Sequence, residues 1–64
     1  MRYVLGGPPR TQSEAFDALE SVFGGEEFSE REAQTVFEEA LDMSFDEARN
    51  ELGRLLRSGV VEEA

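Results

Sequence analysis

The sequence predicts a small, mainly α-helical domain with three helices and a small β-sheet. Three times, a serine or threonine is followed three positions later by glutamate and then by apolar residues at helical spacing. In this capping box, the hydroxyl accepts a hydrogen bond from a first-turn N–H, and the glutamate accepts one from the cap's own N–H. The boxes predict three helix starts and are Thr11/Glu14, Ser29/Glu32 and Ser44/Glu47.

Length and composition limit the ways in which the chain can be stabilised. Its 64 residues, without cysteine or histidine, predict a single domain that has no disulfide and no structural zinc site. We expect a strand and a Gly/Pro linker over residues 1–10 and a helical core over residues 11–62. A chain of this size buries only about 60% of its unfolded surface, so close helix packing must stabilise it, helped by self-association or a partner. The chain contains neither a long apolar run nor a signal peptide, which predicts a cytoplasmic protein without a membrane partner.

The charge balance is strongly acidic. Fifteen acidic residues oppose six arginines, lysine is absent, and the net charge is −9. This composition resembles that of proteins from salt-in halophiles, especially haloarchaea. The resemblance implies a cytoplasm with molar salt, where the Debye length is about 3 Å and self-repulsion is screened. In such an organism an acidic surface does not argue against nucleic-acid binding. The alternative is an acidic mesophilic module that binds a basic partner.

The first half of the chain contains the predicted strand, the linker and the first helix. Tyr3, Val4 and Leu5 favour a strand over residues 1–5. The sequence Gly-Gly-Pro-Pro at 6–9 cannot continue a strand or a helix, and it predicts a linker or a sharp turn. The first helix is predicted from about residue 12 to 23 and ends at Gly24-Gly25. Its predicted buried face consists of Ala15, Phe16, Leu19, Val22 and Phe23.

The second half predicts two helices separated by a very short turn. Residues 26–28 are a tiny strand or a loop. The second helix is predicted over about 30–41, the turn at 42–43, the third helix over about 45–58, and a strand at Val60-Val61 after the glycine stop at Gly59. A hydrophobic residue precedes each serine cap and pairs with an alanine in the helix, as in a hydrophobic staple. The predicted buried residues are Ala33, Val36, Phe37, Ala40 and Leu41 in the second helix, and Phe45, Ala48, Leu52, Leu55 and Leu56 in the third.

From Phe28 onward, the order of cap, helix, tight turn, cap and helix, followed by Leu-Gly-Arg-Leu-Leu-Arg-Ser-Gly-Val-Val-Glu at 52–62, resembles the winged helix-turn-helix superfamily. The resemblance implies that residues 12–23 form its first helix, 26–28 its first strand, 30–43 its positioning helix and turn, and 45–58 its recognition helix. Only one strand fits after the third helix, so the C-terminal wing is expected to be minimal or absent. Residues 1–5 are expected to fill the missing place by pairing with 60–62, within one molecule or across a dimer. A plain three-helix bundle is the alternative.

The exposed face of the third helix carries the candidate DNA-binding residues. Asparagine can pair with adenine, and arginine can bind guanine at two points or hold a phosphate. We expect Arg49, Asn50 and Arg54 to read base edges, and Arg57 and Arg31 to contact the backbone. The alternative is a solvated polar face with an Asp46–Arg49 pair. The acids at the start of the helix favour this alternative, because they would repel DNA phosphates. Gly53, on the same face, costs helix stability and so indicates close approach by another backbone or a phosphate. The alternative is that this glycine is a tolerated neutral substitution.

Two functional classes remain open. Histidine, cysteine and lysine are missing, so the usual general base and nucleophiles are absent, and we expect no enzymatic activity, cofactor, metal or small-molecule substrate. The first interpretation is a DNA-binding transcription regulator of a halophilic archaeon, binding double-stranded DNA as a dimer. The second is a non-catalytic protein–protein interaction module with the same fold. It would bind another protein, or a second copy of itself, through the strand from Tyr3 to Leu5 or an exposed helix face.

Overall fold

Three helices and three short strands make up the described part of the chain, which in this computed structural model is residues 1–7 and 9–64. The predicted fold class, mainly α with a small β-sheet, is confirmed. Pro8, in the predicted linker, lies outside the described residues. In chain order the elements are β1 (Arg2–Leu5), α1 (Glu14–Phe23), β2 (Phe28–Ser29), α2 (Glu30–Ala40), α3 (Phe45–Ser58) and β3 (Val61–Glu63).

The N-terminal strand lies in the middle of the sheet. The strand order is β2-β1-β3, and both pairings are antiparallel. On one side Tyr3 pairs with Phe28, and on the other side Leu5 pairs with Val61. The predicted pairing of the N-terminal strand with the segment after α3 is therefore confirmed, and it occurs within one molecule. Val60 lies just before β3, where its carbonyl accepts a 2.7 Å hydrogen bond from the Gly6 N–H.

This strand order bears on one prediction about partners, the docking of another chain on the strand from Tyr3 to Leu5. In the structure, β3 pairs with Tyr3–Leu5 along one edge of β1, and β2 pairs with Arg2 and Tyr3 along the other. A strand pairs with another chain through unpaired N–H and C=O groups, and most of those groups on β1 are used within the molecule. The sheet therefore does not favour Tyr3–Leu5 as a docking strand.

The serine caps fix the starts of α2 and α3 as predicted. The Ser29 hydroxyl accepts from the Glu32 N–H at 3.1 Å, and the Glu32 carboxylate accepts from the Ser29 N–H at 2.8 Å. The same pair of bonds joins Ser44 and Glu47 at 3.2 and 2.9 Å. The predicted bounds of α3 are confirmed, and its C-cap is Gly59 in the left-handed conformation, with φ 81°. Helix α2 ends at Ala40, one residue before the predicted end.

The first predicted capping box is wrong. Helix α1 begins at Glu14, and its N-cap is Ser13, whose hydroxyl accepts from the Phe16 N–H at 3.2 Å. Serine is preferred over threonine at this position. Capping at Ser13 places Phe16 third in the helix, where its side chain enters the core with only 7% exposed. Thr11 therefore lies two residues before the cap.

The core lies between the three helices and one face of the sheet. Phe23 stacks on Phe28 with ring centroids 4.8 Å apart, which fixes the end of α1 against β2. The buried hydrophobic residues are Tyr3, Ala15, Phe16, Leu19, Phe28, Ala33, Phe37, Ala48, Leu52, Leu55, Val60 and Val61.

Three residues predicted to be buried are exposed, and one buried residue was not predicted. Val22 and Phe45 are 57% and 58% exposed, and Ala40 is also exposed. All three lie in the first or last turn of their helices, where the apolar stripe extends beyond the neighbouring elements. Conversely, Gln34 is buried in α2, with its side-chain amide 3.4 Å from the Glu30 carboxylate.

Candidate nucleic-acid interface

The exposed face of α3 presents the residues that the sequence suggested for DNA binding. Ala48, Leu52 and Leu55 form its buried stripe. At 100° per residue, Asn50 and Arg57 lie opposite that stripe, at the crest of the exposed face. Arg49 and Arg54 lie on the two shoulders of the crest. All four side chains are exposed, so a ligand that approaches α3 meets them first. These four residues are Arg49, Asn50, Arg54 and Arg57.

One shoulder of α3 faces α2. Arg49 and the exposed Phe45 line a groove of about 510 Å³ between the two helices. Arg31, the second residue of α2, lines the same groove, so the structure brings this candidate close to Arg49. The groove is of mixed charge, because Glu30 and Glu38 line it as well. It therefore combines two cations with an aromatic side chain and two carboxylates.

The other shoulder of α3 faces the segment that connects β1 to α1. Arg54 lines a groove of about 560 Å³ together with Arg10, which sequence reasoning missed. Arg10 follows the Gly/Pro stretch, far from α3 along the chain, and no local pattern indicated its position. It becomes a neighbour of Arg54 only because β1 enters the sheet beside β3. Four arginines thus form two groups. Arg49 and Arg31 line the groove with α2, and Arg54 and Arg10 line the groove with the segment before α1.

Gly53 leaves space for one of the candidate side chains. A Cβ atom at this position would lie 3.3 Å from Nη1 of Arg57. The guanidinium of Arg57 therefore passes beside Gly53 on the surface of α3. An alanine at this position would require only a small movement of the flexible Arg57 side chain. Gly53 therefore gives Arg57 room in its observed position, but the fold would accept an alanine here.

Acidic residues limit the positive charge on α3. The Ser44 N–H donates to the Glu47 carboxylate, which lowers the pKa of that carboxyl and keeps it charged. The Asp46–Arg49 pair of the alternative interpretation is not among the ion pairs of the described residues, and Arg49 lines the groove with α2 whereas Asp46 does not. Glu51 instead pairs with Arg54, with Oε2 3.3 Å from Nη2.

Positive charge is nevertheless concentrated on this helix. From Ala48 to Ser58, α3 carries three arginines and one glutamate. The rest of the chain carries three arginines and fourteen acids. Two of those three, Arg10 and Arg31, line the grooves beside α3. Five of the six arginines of this acidic protein therefore lie on α3 or next to it.

Comparison with known proteins adds no family assignment. No protein-family profile, curated protein or solved structure matches this chain. Within residues 1–7 and 9–64, no group of three or more Asp and Glu side chains is placed to hold a metal ion. In the same residues, no helix has the length and apolar character needed to cross a membrane. Functional evidence for this chain therefore comes from its own geometry and charge.

Proposed function

We propose that the protein binds double-stranded DNA through the exposed face of α3, as a winged-helix-like transcription regulator of a halophilic archaeon. The observation that carries the proposal is the concentration of arginine on and beside α3 in a chain of net charge −9. Binding to DNA depends mainly on cations that meet phosphates, and on side chains that reach base edges in the major groove. This helix offers both kinds of group on one exposed face.

The framework supports this use of α3. Helices α2 and α3 follow one another through a short turn, and each begins at a serine capping box. This is the arrangement in which a second helix enters the major groove. Strand β1 occupies the centre of the sheet, next to β3, where a winged-helix protein would place a strand of its wing. DNA contacts would therefore be made by α3 and its flanks rather than by a wing.

Each candidate residue has a role that follows from its position. Asn50, at the crest, would reach adenine, and Arg49 and Arg54, on the shoulders, would reach guanine. Arg57, near the C-terminal end of α3, and Arg31, at the start of α2, would contact phosphates.

The test is to incubate the folded protein in molar KCl with fragmented genomic DNA and to sequence what it retains. A DNA reader enriches a motif, and the symmetry of that motif reports whether the binding species is a monomer or a dimer. Arg54→Gln should then weaken binding to the motif by about 5- to 150-fold, as expected for an arginine that reads a base. Arg2→Gln is the matched control, because Arg2 lies on β1 and pairs with Glu27 and Glu32. Equal affinity of both variants and the parent would exclude α3 from the interface.

A protein-interaction module with the same fold is the second candidate. Phe45 favours it, because this aromatic side chain is 58% exposed beside the groove between α2 and α3. The neighbouring Asp46 and Glu47 would repel DNA phosphates but suit a basic protein partner. No enriched motif in the DNA experiment, with the protein shown to be folded in that buffer, would favour this candidate.

A further inference from the structure

The groove beside Arg54 differs from the rest of the surface. We name it the linker groove, and the described residues that line it include Arg10, Thr11, Ser13, Arg54, Leu55 and Val60. Its volume of about 560 Å³ lies in the range of small-ligand sites. It is bordered on one side by the segment before α1 and on the other by the C-terminal half of α3.

The linker groove is positively charged in an acidic protein. Two arginines line it, and none of the described lining residues is acidic, although 15 of the 64 residues in the chain are. The groove between α2 and α3, by contrast, contains Glu30 and Glu38. Leu55 and Val60, which are 5% and 8% exposed, contribute apolar wall. A cleft with one sign of charge and low-dielectric walls focuses the field and attracts a ligand of the opposite sign.

Hydroxyl groups add hydrogen-bond donors to the two cations. Thr11 is exposed at the groove. The Ser13 oxygen accepts from the Phe16 N–H, which leaves its O–H free to donate. The Ser58 O–H is used, because it donates to the Leu55 carbonyl at 3.1 Å. The side-chain donors available to a ligand are therefore two guanidinium groups, two hydroxyls and the amide of Gln12.

We propose that the linker groove binds a phosphate group, with Arg10 and Arg54 as its cationic ligands. The planar guanidinium fork matches the oxygens of a phosphate, which can accept two hydrogen bonds from each arginine. The phosphate comes either from the DNA backbone beside α3 or from a free phosphorylated compound. The first source rests on the proposed function and gives Arg54 a phosphate contact in place of its guanine contact. Phosphate binding by the groove does not rest on the proposed function.

Glu51 sets the strength of this site. Its carboxylate holds one nitrogen of Arg54 at 3.3 Å, outside the residues that line the groove. Arginine has five N–H donors, so Arg54 can bind a phosphate while it keeps this pair. The carboxylate nevertheless reduces the positive potential in the groove. Glu51→Gln should therefore strengthen phosphate binding.

The experiment is a titration of the ¹⁵N-labelled protein with inorganic phosphate, followed by NMR at constant ionic strength. We expect amide shifts at Thr11, Ser13 and Gly59. We also expect affinities about 1.5- to fivefold weaker in Arg10→Gln and Arg54→Gln, the range of an exposed ion pair. Arg2→Gln, which removes the same charge from β1, away from both grooves, should bind as the parent does. Glu51→Gln should bind more tightly, and its control Glu38→Gln should not.

Two results would overturn the proposal. The first is no shift at the linker groove in the folded protein. The second is equal weakening by Arg2→Gln and Arg10→Gln, which would indicate a general charge effect. The source of the phosphate is then decided with a DNA duplex. If a backbone phosphate occupies the groove, Arg10→Gln lowers the slope of log K against log[salt] by about 1. If phosphate binds as expected but the slope is unchanged, or DNA is not bound, the groove takes a free phosphorylated compound.

Discussion

The start of α1 provides a sharp test, because sequence and structure assign its cap to different hydroxyls. The structure assigns it to Ser13, which is half-buried and accepts from the Phe16 N–H at 3.2 Å. Ser13→Ala would leave that N–H without its partner and should cost about 1 kcal/mol, within the usual range of about 0.5–2 kcal/mol. Thr11 is exposed and precedes the helix, so Thr11→Ala should change the free energy of unfolding by less than about 0.5 kcal/mol.

This difference is measurable in a domain of this size. Its total stability should be roughly 3–10 kcal/mol, from about 0.05–0.15 kcal/mol per residue. A loss of 1 kcal/mol lowers Tm by about 4–8 °C in a domain of 60–100 residues. Urea unfolding followed by circular dichroism, fitted with a shared m value, gives both free energies. If Thr11→Ala costs as much as Ser13→Ala, the helix begins near residue 12 and the assignment of Ser13 as the cap is wrong.

Three further predictions concern packing, pH and salt. Gly6→Ala should cost about 1–3 kcal/mol in urea unfolding, because its Cβ would lie 2.8 Å from the Gly59 carbonyl oxygen; Gly7→Ala is the control, with open space among the described residues. Hydrogen bonds from the Ser29 and Ser44 backbone N–H groups lower the pKa of Glu32 and Glu47. The two carboxylates therefore stabilise the fold fully above the ordinary pKa of 4.5, and this stabilisation is lost as pH falls through the lowered pKa values. Glu32→Gln should reduce the loss of Tm in acid. Finally, Tm should rise from about 0.1 M to molar KCl as self-repulsion is screened, and a flat Tm would contradict the halophilic interpretation.

The helix ends that sequence predicted well are those fixed by local chemistry. Helix α3 begins at Ser44, whose box with Glu47 needs only neighbouring residues, and it ends at Gly59, which adopts a positive φ without a side-chain penalty. The start of α1 was missed because two hydroxyls compete there. The choice between Thr11 and Ser13 depends on where Phe16 enters the core, and this is set by tertiary packing rather than by the local sequence.

The candidate site was predicted in part for the same reason. Helical periodicity was sufficient to place Asn50, Arg54 and Arg57 on one exposed face. It could not place Arg10 in the same groove as Arg54, because that arrangement depends on the path of the chain from the sheet back to α1. Nor could it choose between an Asp46–Arg49 pair and a Glu51–Arg54 pair, since both have the i,i+3 spacing of a helix. The structure selects Glu51, whose side chain is 16% exposed beside the core.

The charge distribution determines what kind of DNA recognition this fold can support. Away from α3 and its flanking grooves, acidic residues far outnumber arginines, so in dilute salt this part of the chain repels phosphates. At molar salt the Debye length is about 3 Å, and neither this repulsion nor long-range attraction to the arginines persists. Only groups in direct contact then contribute to binding. Under the proposed function, those groups are the crest and shoulders of α3 and the side chains of its two flanking grooves. Recognition by this protein would therefore depend on hydrogen bonds made at contact by Asn50 and the arginines, and little on its overall field.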